Sequence, residues 1–171
     1  MPARRPTASA RAEPTEPITI PRPGVTPESI VPSRIADPAQ TIAFATDVAR
    51  LLRDDKCEEV VLLDVRTLSQ VTDYIIIGSG TSDRQMHSVL RHTEELGATR
   101  GITAFRADTD DRSLWLLCDF VDVVVHLFEP NTRAHYDLEM LWGDAPRIEW
   151  ERPDQQSRDR AGLQADKPVR G

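Results

Sequence analysis

The sequence predicts an α/β domain built on a mixed sheet of about five strands with flanking helices. Three observations carry that prediction. Short runs dense in β-branched residues, among them V-V-L-L-D-V at residues 60–65 and V-V-V at residues 123–125, have the length of strands and are too apolar for a solvated surface. Two other segments repeat apolar residues every three or four positions, the period of a helix with one buried face. Each of these opens on a capping sequence, Asp37-Pro38-Ala39-Gln40 or Ser82-Asp83-Arg84-Gln85, of the kind that marks where helices begin.

In chain order, the first helix starts after Asp37. Proline occupies its first position, where no amide hydrogen is needed, and Gln40 is spaced to reach back to the cap. Ile42, Ala45, Val48, Ala49 and Leu52 fall on one face, which packs on the sheet. Residues 59–65 and 74–79 read as strands covered on both sides. The second helix carries Met86, Val89, Leu90 and Leu96 on its inner face, and Gly97 is placed to stop it. Residues 102–106 form a weaker strand, followed by an acidic turn at 108–111. Residues 113–120 and 122–128 are two strands with almost nothing between them, and Asn131, after Pro130, caps a last short helix.

Residues 38–151 form the folded domain. Nine of the 13 prolines lie at or before residue 38, where apolar residues show no period, so residues 1–37 form a disordered Pro/Arg-rich arm. Residues 152–171 are equally polar and aperiodic, a disordered tail. Net charge is +2 over residues 1–36, −11 over 37–151 and +2 over 152–171. An acidic domain is repelled by phosphate backbones, which argues against direct nucleic-acid readout and favours a basic protein partner. Cys57 and Cys118 stand alone without metal-ligand spacing, as reduced cysteines of a cytoplasmic protein do. No apolar run is long enough for a bilayer, and the first residues lack a secretory signal, so no membrane partner is expected.

Two polar constellations invite a chemical reading. Gly78-Ser79-Gly80 ends a strand just before a helix, a geometry that can hold an anion, although a tight turn needs glycine in any case. Phosphoryl transfer also needs clustered carboxylates for a divalent metal. Asp119 and Asp122 are three apart, and on an extended strand that spacing points them to opposite faces, while Asp122 and His126 share one. His87 and His92 are five apart on a helix, not the three or four that pairs ligands. Ser79, Asp122 and His126 lack a nucleophile-elbow pattern around the serine. The residues favour a binding protein over an enzyme and point to no cofactor or metal; a metal-dependent nucleotidyltransferase or other phosphate-handling enzyme is the alternative.

For binding, the candidate residues are acids and rings. Asp119, Asp122, Glu129, Asp137 and Asp144 offer charge, and Tyr74, Phe120, His126, Tyr136 and Trp142 offer contact area. Trp115, inside a strand, belongs to the core.

Three blocks occur in order: T-D-Y with G-S-G-T-S-D-R-Q over residues 72–85, D-F-V-D-V-V-V-H over 119–126, and Y-D-L-E with L-W-G-D-A-P over 136–146. Across residues 38–146 the chain resembles the ribosomal silencing factor family, also called Iojap-like proteins. Val121 departs from the family pattern, which usually has glycine there. The resemblance implies a nucleotidyltransferase-like fold without enzymatic activity. It implies a factor that binds the large ribosomal subunit through that subunit's fourteenth protein and sterically blocks joining of the small subunit, repressing translation when nutrients are short. A homodimer of the free protein is compatible with it.

Overall fold

The structure, a computed structural model, describes residues 34–109 and 114–154. Its elements are α1 (Pro38–Asp54), β1 (Glu58–Asp64), β2 (Tyr74–Ser79), α2 (Asp83–Thr99), β3 (Arg106–Thr109), β4 (Trp115–Asp119), β5 (Val123–Phe128), α3 (Pro130–Tyr136) and α4 (Leu138–Leu141). The strands form one sheet in the order β1-β2-β5-β4-β3. β2 and β5 run parallel and every other neighbour is antiparallel. β2 and β5 can run parallel because α2, β3 and β4 intervene, a connection long enough to bring the chain back beside β2 in the same direction.

Alternation along the strands sends side chains to two layers. Leu62, Tyr74, Ile76, Leu116, Val125 and Leu127 meet Phe44, Val48 and Leu52 of α1 and Met86 and Val89 of α2 in the larger core. On the other face Leu63, Val65, Ile75, Ile77 and Phe128 form a smaller cluster, closed by Ala145 and by half-buried Trp115, Leu138 and Trp142. The chain then runs back along β1: Asp64 N–H donates to the Pro146 carbonyl (2.9 Å) and Ile148 N–H to the Leu62 carbonyl (2.8 Å). Trp150 is buried, Arg50 Nε donates to its carbonyl at 2.8 Å, and Arg152 holds Asp54 with two bonds of 2.9 Å. At the other end Arg34 and Ile35 bind Asp122. The rest of the arm (1–33), the tail from 155 and residues 110–113 of the acidic turn lie outside the described residues.

Several local expectations change. α2 continues past Gly97 to Thr99, and Gly101, with φ +69°, ends it: Ile102 N–H donates to the Gly97 carbonyl and Gly101 N–H to that of Ala98, the paired closure that a left-handed residue allows. Gly97 serves close packing instead, since a Cβ there would sit 2.6 Å from the Ile102 carbonyl oxygen and 2.7 Å from the Phe120 ring. Ile102 is held in that closure and Phe105 N–H already donates to the Asp119 carbonyl at 2.7 Å, so the third strand itself runs from Arg106. α3 is capped by Glu129, whose carboxylate accepts from Thr132 N–H at 3.0 Å, not by Asn131; Pro130 is the first helical residue, so the cap is the residue before it, two before Asn131.

The link between β4 and β5 is a turn of three residues. Asp122 N–H donates to the Phe120 carbonyl at 3.0 Å around Val121, whose φ is +74°. A positive-φ γ-turn is rare and strained, and a β-branched residue is the worst occupant for it. Asp119 lends support, its Oδ1 accepting from Val121 N–H at 2.7 Å. The turn reverses the chain between Asp119 and Asp122, so the expectation that one extended strand sets their facing does not hold. Val121→Gly should therefore stabilise the domain, with relief of roughly 1–3 kcal/mol of strain partly offset by glycine's added unfolded-state entropy, a net gain of about 1 kcal/mol. A denaturant midpoint that falls for this variant would contradict the strain assigned to Val121.

Candidate functional site

The sheet face opposite α1 and α2 is only partly covered, and its open part is floored by rings. Trp115 and Phe128 face each other in the β4–β5 register and stack with centroids 5.0 Å apart. Tyr136, at the end of α3, lies over Trp115 at 4.8 Å, and His135 meets Tyr136 edge-on at 5.2 Å. Half-buried His126 accepts from the Trp115 indole N–H at Nδ1 (3.2 Å), which leaves the imidazole proton on Nε2. Beyond this cluster α4 exposes Met140 and Leu141, at 79% and 72%, and Tyr136 is 52% exposed. These large side chains, open and close together in sequence on two short helices, form one exposed apolar patch; Leu68, Val71 and Phe105 are exposed elsewhere.

Acids border the same region, most of them with structural work as well. Glu129 caps α3, and the Thr132 amide bond holds its carboxyl below the usual range. Asp137 has φ +43° between the two helices and caps α4 through Met140 N–H at 3.3 Å. Asp119 supports the γ-turn. Asp144 is exposed, with no partner among the described residues.

Three of the expected contact residues lie inside the protein. Tyr74 and Phe120 are buried in the larger core, the first under the Arg66 guanidinium at 5.3 Å and the second edge-on to Phe44 at 5.0 Å. Asp122 is 2% exposed and bound to Arg34 and Ile35. These three shape the fold beneath the surface, whereas His126, Glu129, Tyr136, Asp137, Trp142, Asp144 and Asp119 remain at or near it. Trp115, expected in the core, is half-buried and floors the open face. Met140 and Leu141 were not singled out by sequence; their signal was an apolar pair just after a residue able to cap, with no following helical period to bury it.

The groups that suggested chemistry are bound elsewhere. Ser79 Oγ accepts from Arg133 Nη1 at 2.8 Å, Gly80 N–H donates to the Phe128 carbonyl at 2.8 Å, and Thr81 N–H donates to Gln85 Oε1 at 3.0 Å. The turn thus has few free donors for an anion, and the groove above it is lined by Glu58, Asp83 and Glu129. Ser79 and Asp122 sit at opposite ends of the parallel β2–β5 pair, so they cannot share a triad with His126. No three His, Cys, Asp or Glu side chains converge to hold a metal ion among the described residues. Burial pushes the Cys57 thiol up to about 11 and that of Cys118 up to about 12, which leaves neither a ready nucleophile.

The fold is a mixed-sheet α/β domain whose strand-end polar groups are committed to the structure and whose open face carries rings and acids. The chain belongs to the ribosomal silencing factor family: residues 38–169 match the family described as "Ribosomal silencing factor during starvation". Ribosomal silencing factor RsfS of Halalkalibacterium halodurans is 38% identical over 98 residues, 57% of this chain and 84% of the relative. Mitochondrial assembly of ribosomal large subunit protein 1 of Mus musculus is 32% identical over 111 residues, 61% of this chain and 49% of that protein. A crystal structure of a Chromobacterium violaceum protein superposes with a TM-score of 0.56 at 26% identity, over 63% of this chain and 87% of that one. These relatives support a ribosomal silencing role.

His126 gives the site a pH signature. Burial holds its imidazole down at about 4, against an ordinary value of 6.5. The unfolded chain therefore binds that proton more readily, so the contribution is complete above about pH 6.5 and is lost as pH falls towards 4, up to roughly 3 kcal/mol. His126→Gln, which keeps an acceptor for Trp115 but does not titrate, should flatten the fall in unfolding free energy between pH 6.5 and 4.5. An unchanged slope in chemical denaturation would remove His126 as its source.

Proposed function

We propose that this protein docks on the large ribosomal subunit through that subunit's fourteenth protein and silences translation by occupying the surface on which the small subunit would join. Membership of the silencing-factor family supports the role, and the name of the mouse relative points to the large subunit. The observation that carries the proposal is the α3–α4 surface, where Tyr136, Met140 and Leu141 stand exposed beside Asp137 and Asp144. Apolar anchors within an acidic border suit a basic protein surface: the anchors supply dissociation resistance and the acids steer encounter. In this reading the domain has a nucleotidyltransferase-like layout that carries a docking face in place of a reaction centre. The protein works in the cytoplasm, and any homodimer belongs to its ribosome-free state.

Two variants separate anchor from steering. Tyr136→Ala should weaken binding to isolated large subunits by about tenfold or more, mainly through faster dissociation. Asp144→Lys combined with Asp137→Asn removes negative charge while asparagine preserves the cap of α4. That pair should slow association several-fold and flatten its salt dependence. Co-sedimentation and surface-capture kinetics read both. Folded variants that bind like the parent would move the interface off this face.

A further inference from the structure

The α3–α4 stretch buries one residue, and that residue is Arg133. A helical hairpin is ordinarily fixed by leucines or valines facing the core; here Leu138 is only half-buried. The Arg133 side chain is 8% exposed and its donors reach three separate parts of the fold. Nη1 donates to Ser79 Oγ at the end of β2 (2.8 Å), Nη2 to the carbonyl of Glu59 (2.8 Å), and Nε to Glu139 Oε1 in α4 (3.1 Å). Glu59, with φ +47°, lies in the bulge where the β1–β2 register slips between Glu58 and Val61. Removing a guanidinium from water is costly unless its hydrogens are met, and here a single planar fork meets them from two strands and a helix.

We infer that Arg133 is the positioning residue of the docking face, setting where Tyr136, Met140 and Leu141 stand by locking α3 and α4 to the ends of β1 and β2. The inference rests on the docking reading above, but the lock itself is independent of it. Lysine keeps the charge but presents a point donor that cannot span the three acceptors.

Arg133→Lys in the full chain tests both parts. Amide exchange at Asp137, Met140 and Trp142, whose N–H groups bond within this hairpin, should speed up by about tenfold or more while β2 and β5 amides stay protected. Binding to isolated large subunits should weaken by about tenfold through faster dissociation, with the salt dependence of association unchanged because no charge is lost. Combined with Tyr136→Ala, the loss should be smaller than the product of the separate losses, as expected when one residue acts by placing the other. Unchanged exchange in the hairpin, affinity within about twofold of the parent, or losses that multiply would each overturn the inference. If the lysine variant does not fold, Glu139→Gln weakens one arm of the same fork and should shift exchange and affinity in the same direction; no shift there counts against the inference equally. If the parent chain does not bind subunits, the docking reading fails, and hairpin exchange still decides the lock.

Discussion

A carboxylate taken out of water destabilises a protein by several kcal/mol unless its oxygens are met, and Asp122 is the place where this chain meets that demand. One carboxylate oxygen holds Arg34 Nε at 3.0 Å, and the other accepts from Ile35 N–H. Its carbonyl accepts from Asp73 and Tyr74 N–H at 3.0 and 2.9 Å, and its own N–H closes the γ-turn on Phe120. One residue thereby joins the lead-in to α1, the first residue of β2 and the reversal between β4 and β5. The β2–β5 parallel pair takes its register from this junction, because Tyr74 is opposite Val123 immediately after it. Val121 is driven to positive φ by the same closure, since the chain has a single residue in which to turn.

The elements were legible where the signal is local. Asp37 and Ser82 cap their helices as their side-chain chemistry dictates, through Ala39 and Gln85 N–H. The valine-rich runs are strands, and the two cysteines are buried. What sequence could not supply was which sheet face each residue would find covered. Tyr74 and Phe120 have the character of contact rings but lie in the core with α1 and α2, while Trp115, expected in the core, faces the side that α3 and α4 cover only in part. Glycine position misled in a similar way: Gly97 and Gly101 both suit a helix end, and only the approach of Phe120 gives the first a different task.

The candidate site shows why isolated polar residues are poor guides to chemistry. Ser79, Asp122 and His126 are each held by a partner from another part of the chain: Arg133, Arg34 with Ile35, and Trp115. None of those pairings follows a short spacing in sequence. The acids at the rim are visible in sequence but carry two roles, since Asp119, Glu129 and Asp137 terminate or open backbone elements as well as charging the surface. The negative charge of this surface is therefore built from groups that the fold already requires, and exposed Tyr136, Met140 and Leu141 add an apolar area that capping alone does not explain.

Silencing by occupancy differs from silencing by reaction in stoichiometry, and one titration separates them. With isolated subunits well above the dissociation constant, joining followed by light scattering should be inhibited in proportion to added protein and reach its limit at about one protein per large subunit. Removal of the protein should restore joining. Complete inhibition by a small fraction of an equivalent, or inhibition that outlasts removal, would contradict occupancy as the mechanism.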